Sequence, residues 1–332
     1  MMIEQIPPQG CGVSAAVLTG TSDAVERLRQ VMRQVARTQA TLLIRGEYGT
    51  GKAAVAAALH AESPRSAMPF AQIDCATTPA AALERALFGQ EKNGAPAVIT
   101  RGLFEAVDGG TLLLGGIGEL TPALQERLLR FLQEGKFTRV GGKEVISANV
   151  RILASTHCNL EAAVRNGDFR EDLFIRLGIV PVTIPPLRDR REDIAALADG
   201  FRAACARRLG VEAPTISAAG ISALEEHSWP GNVRELQQRI ELAMVAESSA
   251  AMLEPAHLGF ATAASAASAS AFDDKVFVDD LTEMEKRHIL AVLDRCKWNR
   301  GNAATRLGIS IRTLRNKLKE YQKSPDPEEV QP

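Results

Sequence analysis

Residues 41–60 constrain the fold more than any other part of this 332-residue chain. Thr41-Leu-Leu-Ile-Arg45 is an apolar run of strand length that leads into Gly46-Glu-Tyr-Gly-Thr-Gly-Lys52 and then into the alanine-rich helical run 53–60. A strand, a glycine-rich turn and a helix in that order aim backbone N–H groups and the positive end of a helix dipole at one point. A phosphate group fits there, with Lys52 in reach of it. The spacing G-x-x-x-x-G-K is complete, but the position after the lysine, which usually offers Mg²⁺ a Ser or Thr hydroxyl, is Ala53. A glycine-rich turn without a ligand has the same pattern, and the flanking strand and helix favour the phosphate reading over it.

Further short apolar runs follow at Phe70-Ala-Gln-Ile-Asp74, 111–114, 150–155 and 179–184, separated by helical patterns. That rhythm predicts an α/β fold with a five-stranded parallel sheet, helices on its faces, and a mainly helical region after it. Arginines recur in Phe169-Arg-Glu-Asp-Leu-Phe-Ile-Arg-Leu177, Ile184-Pro-Pro-Leu-Arg-Asp-Arg-Arg-Glu-Asp-Ile194 and Trp229-Pro-Gly-Asn-Val-Arg-Glu-Leu236.

With Leu87-Phe-Gly-Gln-Glu-Lys92, Leu128-Leu-Arg-Phe-Leu-Gln-Glu-Gly135, Arg139-Val-Gly-Gly142 and Val150-Arg-Ile-Leu-Ala-Ser-Thr-His157, residues 16–258 resemble the AAA+ domain of sigma-54-dependent, enhancer-binding transcription activators. The resemblance implies an AAA+ P-loop NTPase with a helical lid subdomain. It implies that Gly46, Gly49, Thr50, Gly51 and Lys52 hold ATP or ADP, that Thr156 and His157 occupy sensor I, and that Arg234 is sensor II. Arg170 and Arg176 match positions from which the family sends arginine fingers into a neighbouring subunit, where cations neutralise charge on the γ-phosphate. Alternatively, both are surface ion-pair formers beside Glu171 and Asp172.

Two departures bear on mechanism. Where the family ends its third strand in Asp-Glu, for Mg²⁺ and for the attacking water, this chain has Gly115 and Gly116. Glycine can neither ligate a cation nor accept a proton through a side chain, so hydrolysis is expected to be weak or absent and bound Mg²⁺ is not expected. Asp108, ahead of the strand, and Glu119, just beyond it, are unconvincing replacements. The second departure is Glu91-Lys-Asn-Gly-Ala-Pro-Ala-Val-Ile-Thr-Arg-Gly102, where the family has Gly-Ala-Phe-Thr-Gly-Ala after Glu-Lys. The Phe-Thr tip that touches sigma-54 is missing, which argues against that contact; Val98 and Ile99 read either as a different contact or as packing residues of a shortened loop.

The C-terminal part carries a different signal. Residues 261–271 are small and uncharged, as in a linker, and 281–323 then holds eleven Lys or Arg against four acids, a net of +7 in a chain whose formal net charge is −1. A helix over 281–295, a second over 301–307, the turn Gly308-Ile-Ser310 and a third helix over 311–321 predict a small all-α helix-turn-helix domain. The last helix buries Ile311, Leu314 and Leu318 and leaves Ser310, Arg312, Thr313, Arg315, Asn316 and Lys317 as candidate DNA contacts. The stretch 298–318 resembles the Fis-type domain that ends these activators, which implies a dimer on double-stranded promoter or enhancer DNA; a solvated basic bundle is the plainer alternative.

The expected organisation is a tail over 1–15, an α/β subdomain over 16–188, a lid over 189–258, a linker over 259–278, the helix-turn-helix over 279–323 and a tail over 324–332. No apolar run of about eighteen residues and no signal-peptide core occurs, so a cytoplasmic location and no membrane partner are expected. The five cysteines and five histidines show no ligand-type spacing, and no metal site is expected from them. With too little chain ahead of residue 16 for a sensory domain, regulation is expected from another protein, from nucleotide or from expression. The composite expectation is a DNA-binding regulator with a nucleotide-binding scaffold, forming homo-oligomers, a possible ring, or mixed oligomers with a full-length relative. The alternatives are a working ATPase acting on sigma-54 polymerase, and an architectural DNA-binding protein whose AAA+ part is nucleotide-free.

Overall fold

The computed structural model describes residues 19–92, 98–178, 180–246 and 251–260, together with Ile289, Leu314, Lys317 and Leu318. The chain divides into two compact units, Met1–Thr262 and Ala263–Pro332.

In the first unit, α1 (Asp23–Ala36) begins where the Ser22 hydroxyl accepts the Val25 N–H, and its buried Val25, Leu28, Met32 and Val35 follow three- and four-residue spacing. The chain continues through β1 (Leu42–Arg45), α2 (Lys52–Ala61), β2 (Phe70–Asp74), α3 (Ala80–Phe88), β3 (Gln90–Lys92), β4 (Val98–Thr100), α4 (Leu103–Ala106) and β5 (Thr111–Gly115). A single 3₁₀ turn, Ile117–Glu119, precedes α5 (Pro122–Glu134), the hairpin β6 (Lys136–Thr138) and β7 (Val145–Ser147), β8 (Arg151–Thr156), α6 (Leu160–Asn166), α7 (Glu171–Leu177) and β9 (Val180–Thr183).

Five of these strands form a parallel sheet in the order β2-β5-β8-β1-β9. They fall on the five runs expected from sequence to within one residue at each end, with β5 extending to Gly115 and β8 to Thr156, and Ile179 lies outside the described residues. The inner strands β5, β8 and β1 carry apolar runs because both of their faces are covered, whereas the edge strands β2 and β9 are partly exposed. Leu112 and Leu114 join one core with Phe88, Phe104, Phe131 and Phe137, while Leu113 joins Leu28, Met32 and Leu59 on the other side. That alternation is the two-residue period of a strand buried on both faces.

The lid follows as α8 (Ile194–Leu209), β10 (Thr215–Ile216), α9 (Ala218–Glu226), α10 (Asn232–Ala246) and β11 (Met252–Leu253), with β10 and β11 paired in parallel. It has its own core around Leu197, Phe201, Leu224, Trp229, Leu236 and Ile240. Trp229 is fully buried and satisfies its indole N–H on the Leu224 carbonyl at 2.7 Å.

In the second unit Ile289 and Leu314 are buried, and Lys317 and Leu318 are helical and half-buried. Ser310, Arg312, Thr313, Arg315 and Asn316 lie outside the described residues, as do residues 93–97 at the tip between β3 and β4. Ile99, on the described side of that tip, pairs with Glu91 and is 54% exposed, so it does not serve as a packing residue.

Candidate nucleotide site

The loop from Gly46 to Lys52 leaves the C-terminal end of β1, between β8 and β9, and opens α2. Gly49 and Gly51 sit at φ +77° and +97°, where an L side chain is strained, and a Cβ on Gly49 would collide with the Gly231 carbonyl. The Gly46 N–H donates to the Thr156 carbonyl at 3.3 Å, which fixes the start of the loop against the end of β8. Thr50 is buried, and its hydroxyl donates to the Glu47 carbonyl at 2.8 Å. Lys52 donates to the carbonyls of Gly46 and Glu47 at 2.8 and 2.7 Å, and its burial lowers its pKa. The ammonium is thus folded back over its own loop, a geometry that a phosphate drawing on the same donor would replace.

The lid grips this loop from the other side. Asn232 donates from Nδ2 to the Tyr48 carbonyl at 3.0 Å and to Glu47 Oε2 at 3.2 Å, and its Oδ1 accepts the buried Leu187 N–H at 2.8 Å. Both Trp229 and Asn232, which flank Pro230-Gly231, have positive φ, +50° and +52°. Such a conformation is rare for a non-glycine residue and unusual above all for a Trp. Arg234, two residues further, donates from Nη1 to the Tyr48 hydroxyl at 2.8 Å, and its backbone N–H reaches the Gly49 carbonyl at 3.2 Å. Arg188 chelates Glu47 with two bonds of 2.8 and 2.6 Å; that pair, and then Asn232, hold the Glu47 carboxyl down at about 2.

Across from the loop, β5 ends at the two glycines. Gly115 is extended, and a Cβ there would find only ordinary contacts, the nearest being the Ile73 carbonyl at 3.4 Å. Gly116 sits at φ +62°, and a Cβ there would press on the Ala76 methyl at 3.1 Å. Neither glycine, nor Ala53, offers a side-chain oxygen, so the positions that would hold Mg²⁺ do not fit it. Asp108 belongs to the opposite end of β5, where its Oδ1 accepts the N–H groups of Gly109 and Asn149. Asp74, however, ends the neighbouring strand in register with Gly115, and its Oδ1 lies 3.9 and 3.4 Å from the Cβ positions of residues 115 and 116. Sequence reasoning passed over Asp74 because only the strand order places β2 beside β5.

The sensor residues lie at the end of β8. Thr156 is buried, and its hydroxyl accepts the Cys158 N–H at 3.0 Å. His157 is exposed, and its Nε2 lies 3.5 Å from Cys158 Sγ, which is 3.7 Å from Glu119 Oε1. Burial and the Glu119 carboxylate push the Cys158 thiol up. The fold brings Glu119, His157 and Cys158 together although their linear spacing gives no sign of it. By contrast, burial and Asp74 push Cys75 up to about 12, so it is an inert core thiol.

Arg170 directly precedes α7 and is held in a two-pronged pair with Asp172 at 3.0 and 2.7 Å, while Arg176 donates to the Leu132 carbonyl at 3.0 Å. Within one protomer Arg170 therefore forms the surface ion pair of the plainer reading, whereas Arg176 bonds a backbone carbonyl.

A parallel sheet in this order, a phosphate loop after β1 and a lid bonded to that loop define a P-loop domain of the AAA+ class. Residues 18–183 match the sigma-54 interaction domain, residues 188–274 the AAA+ ATPase lid domain, and residues 280–321 the Fis family of bacterial regulatory proteins. The chain belongs to the family of sigma-54-dependent transcriptional regulators, with a sigma-54 interaction domain, an AAA+ lid and a Fis-family segment, and it spans about three fifths of the length of the Nif-specific relatives it matches. It is similar to the Nif-specific regulatory protein of Klebsiella pneumoniae, 41% identical over 314 residues, which cover 93% of this chain and 59% of that protein. It is 40% identical over 344 residues to the transcriptional regulatory protein FlbD of Caulobacter vibrioides, covering 96% of this chain and 75% of FlbD. The crystal structure of NtrX from Brucella abortus is similar with a TM-score of 0.70 and 32% identity over 93% of this chain and 70% of NtrX. The NtrX complex with ADP gives 0.69 and 34% over 91% and 68%. Among the described residues no helix is long and apolar enough to cross a membrane.

Proposed function

We propose that this chain is a DNA-binding transcription regulator whose AAA+ unit binds ATP or ADP but turns it over very slowly, and which does not itself remodel sigma-54. The observation that carries this reading is the pair Gly115 and Gly116 at the end of β5, opposite a complete phosphate loop. In this reading Gly46, Gly49, Thr50, Gly51 and Lys52 hold the phosphates, Thr156 and His157 lie beside them, and Arg234 brings the lid's charge to the loop. The NtrX complexes with ADP and with ATP support nucleotide binding by so similar a fold. Loss of a metal ligand and of the water-orienting group each removes on the order of a hundredfold or more in rate. The boundaries at 188/189, 258/259 and 278/279 belong to the same proposal. So do a cytoplasmic location and the contacts of Ser310, Arg312, Thr313, Arg315, Asn316 and Lys317 with double-stranded promoter or enhancer DNA.

Arg170 and Arg176 act, in this reading, in trans: released from Asp172 and from the Leu132 carbonyl, they complete the site of a neighbouring copy or of a full-length relative in a mixed oligomer. An unchanged ATPase rate of every co-expressed relative would remove that part of the proposal.

A second reading, residual turnover, has one observation in its favour: the Asp74 carboxylate beside the vacated positions. Nucleotide affinity and Mg²⁺-dependent ATP turnover of the purified chain separate the readings, with Lys52→Ala as the binding control. Tight binding without turnover supports the proposal. Turnover that Asp74→Asn abolishes establishes the second reading, and absence of nucleotide binding leaves an architectural DNA-binding protein.

A further inference from the structure

Three side chains that play no part in the phosphate loop converge at its edge. Glu119 closes the 3₁₀ turn after β5, and His157 and Cys158 follow directly on the end of β8. One ligand atom from each lies within 4.8 Å of the other two. The two distances involving sulfur are 3.5 Å to His157 Nε2 and 3.7 Å to Glu119 Oε1.

Those lengths have a meaning for metal coordination. In a tetrahedral site with Zn–S of about 2.3 Å and Zn–N or Zn–O of about 2.1 Å, the edges from sulfur to nitrogen and from sulfur to oxygen are about 3.6 Å. The two edges that meet at the sulfur, 3.5 and 3.7 Å, already have these lengths, and the imidazole and carboxylate lie within 4.8 Å of each other. Their chemistry agrees: a thiolate, an imidazole and a carboxylate select zinc-like ions, whereas Mg²⁺ takes an all-oxygen shell. All three residues are exposed or half-buried, so an ion has a path to them.

We infer that Glu119, His157 and Cys158 form a binding site for a zinc-class divalent cation, tying the end of β8 to the turn that follows β5. The fourth tetrahedral position is left to water or to a phosphate oxygen. The site is independent of whether ATP is hydrolysed, since none of its three ligands replaces Gly115 or Gly116.

The test uses the full chain, reduced and freed of metal, titrated with Co²⁺ as a spectroscopic probe and with Zn²⁺ in competition. Binding of one Co²⁺ with a thiolate-to-cobalt charge-transfer band is expected, displaced by Zn²⁺ and unaffected by a large excess of Mg²⁺. Cys158→Ser should remove that band. It and His157→Ala should each weaken Zn²⁺ by more than about a hundredfold, since even groups that only support a ligand are worth about 10–100-fold. Glu119→Gln should weaken it by at least about tenfold. Cys75→Ser is the control that leaves binding unchanged, and thermal unfolding of each metal-free variant shows that it is folded. Zn²⁺ should raise the midpoint of the natural protein and not that of Cys158→Ser. No cobalt spectrum, or one that survives Cys158→Ser, would overturn the inference.

Discussion

The two glycines at the end of β5 make opposite demands on any attempt to restore acids there, and the difference can be measured. In Gly116→Glu, an L side chain is forced into the left-handed region at φ +62°, which costs about 1–2 kcal/mol. Its Cβ meets the Ala76 methyl at 3.1 Å and Asp74 Oδ1 at 3.4 Å. A new carboxylate about 5 Å from that of Asp74, at an exposed position, adds about 1 kcal/mol of repulsion. The sum is about 2–3 kcal/mol, and at about 2–4 °C per kcal/mol for a unit of this size the midpoint falls by about 5–10 °C. Gly115→Asp meets no positive φ and no close contact, so only the repulsion from Asp74 is left, below about 1 kcal/mol. Thermal unfolding of the nucleotide-free protein, followed by circular dichroism, compares the two directly. Gly116→Ala isolates the backbone share, and adding Asp74→Asn to Gly116→Glu should return about 1 kcal/mol. A Gly116→Glu midpoint within about 2 °C of the natural protein would refute this reasoning, as would equal damage from Gly115→Asp. Any rescue of turnover should accordingly come first through position 115.

Asn232→Ala leaves the buried Leu187 N–H without its acceptor and frees Tyr48 and Glu47. It should cost about 2–3 kcal/mol by denaturant unfolding and also weaken ATP binding in a fluorescence titration. The Glu47–Arg188 pair gives a pH dependence whose sign follows from the depressed carboxyl. Its contribution is complete above the ordinary value of 4.5 and is lost as pH falls from there towards about 2. Because both partners are well exposed, Glu47→Gln should lower the midpoint near neutrality by no more than about 3 °C and should flatten the acid limb between pH 5 and pH 2, as melting curves across that range will show.

Much of the α/β unit was legible because its inner strands are buried on both faces, so that Leu42–Ile44, Leu112–Leu114 and Ile152–Ala154 read as apolar runs. The loop from Gly46 to Lys52 was legible for a related reason: positive φ at Gly49 and Gly51 leaves few alternatives to glycine. What the sequence hid depends on adjacency across the sheet. Asp74 is forty-one residues from Gly115 in the chain and beside it in the sheet, and Glu119 is similarly remote from Cys158. Asn232 was hidden in another way, since it stands in a motif recognised as a string but works through a strained backbone and three bonds to other segments.

That strained corner has a thermodynamic consequence. The backbone cost of holding Trp229 and Asn232 in the left-handed region is met by bonds that end on the phosphate loop and on Leu187, so the lid's orientation and the loop's shape share one free-energy account. If a phosphate draws Lys52 off the Gly46 and Glu47 carbonyls and the loop shifts, the corner must relax or tighten with it. Linkage then works in both directions by the same factor: a body that grips the lid changes the affinity for nucleotide as much as nucleotide changes the affinity for that body. Under the function proposed above, nucleotide would then report on assembly, with no need for its hydrolysis.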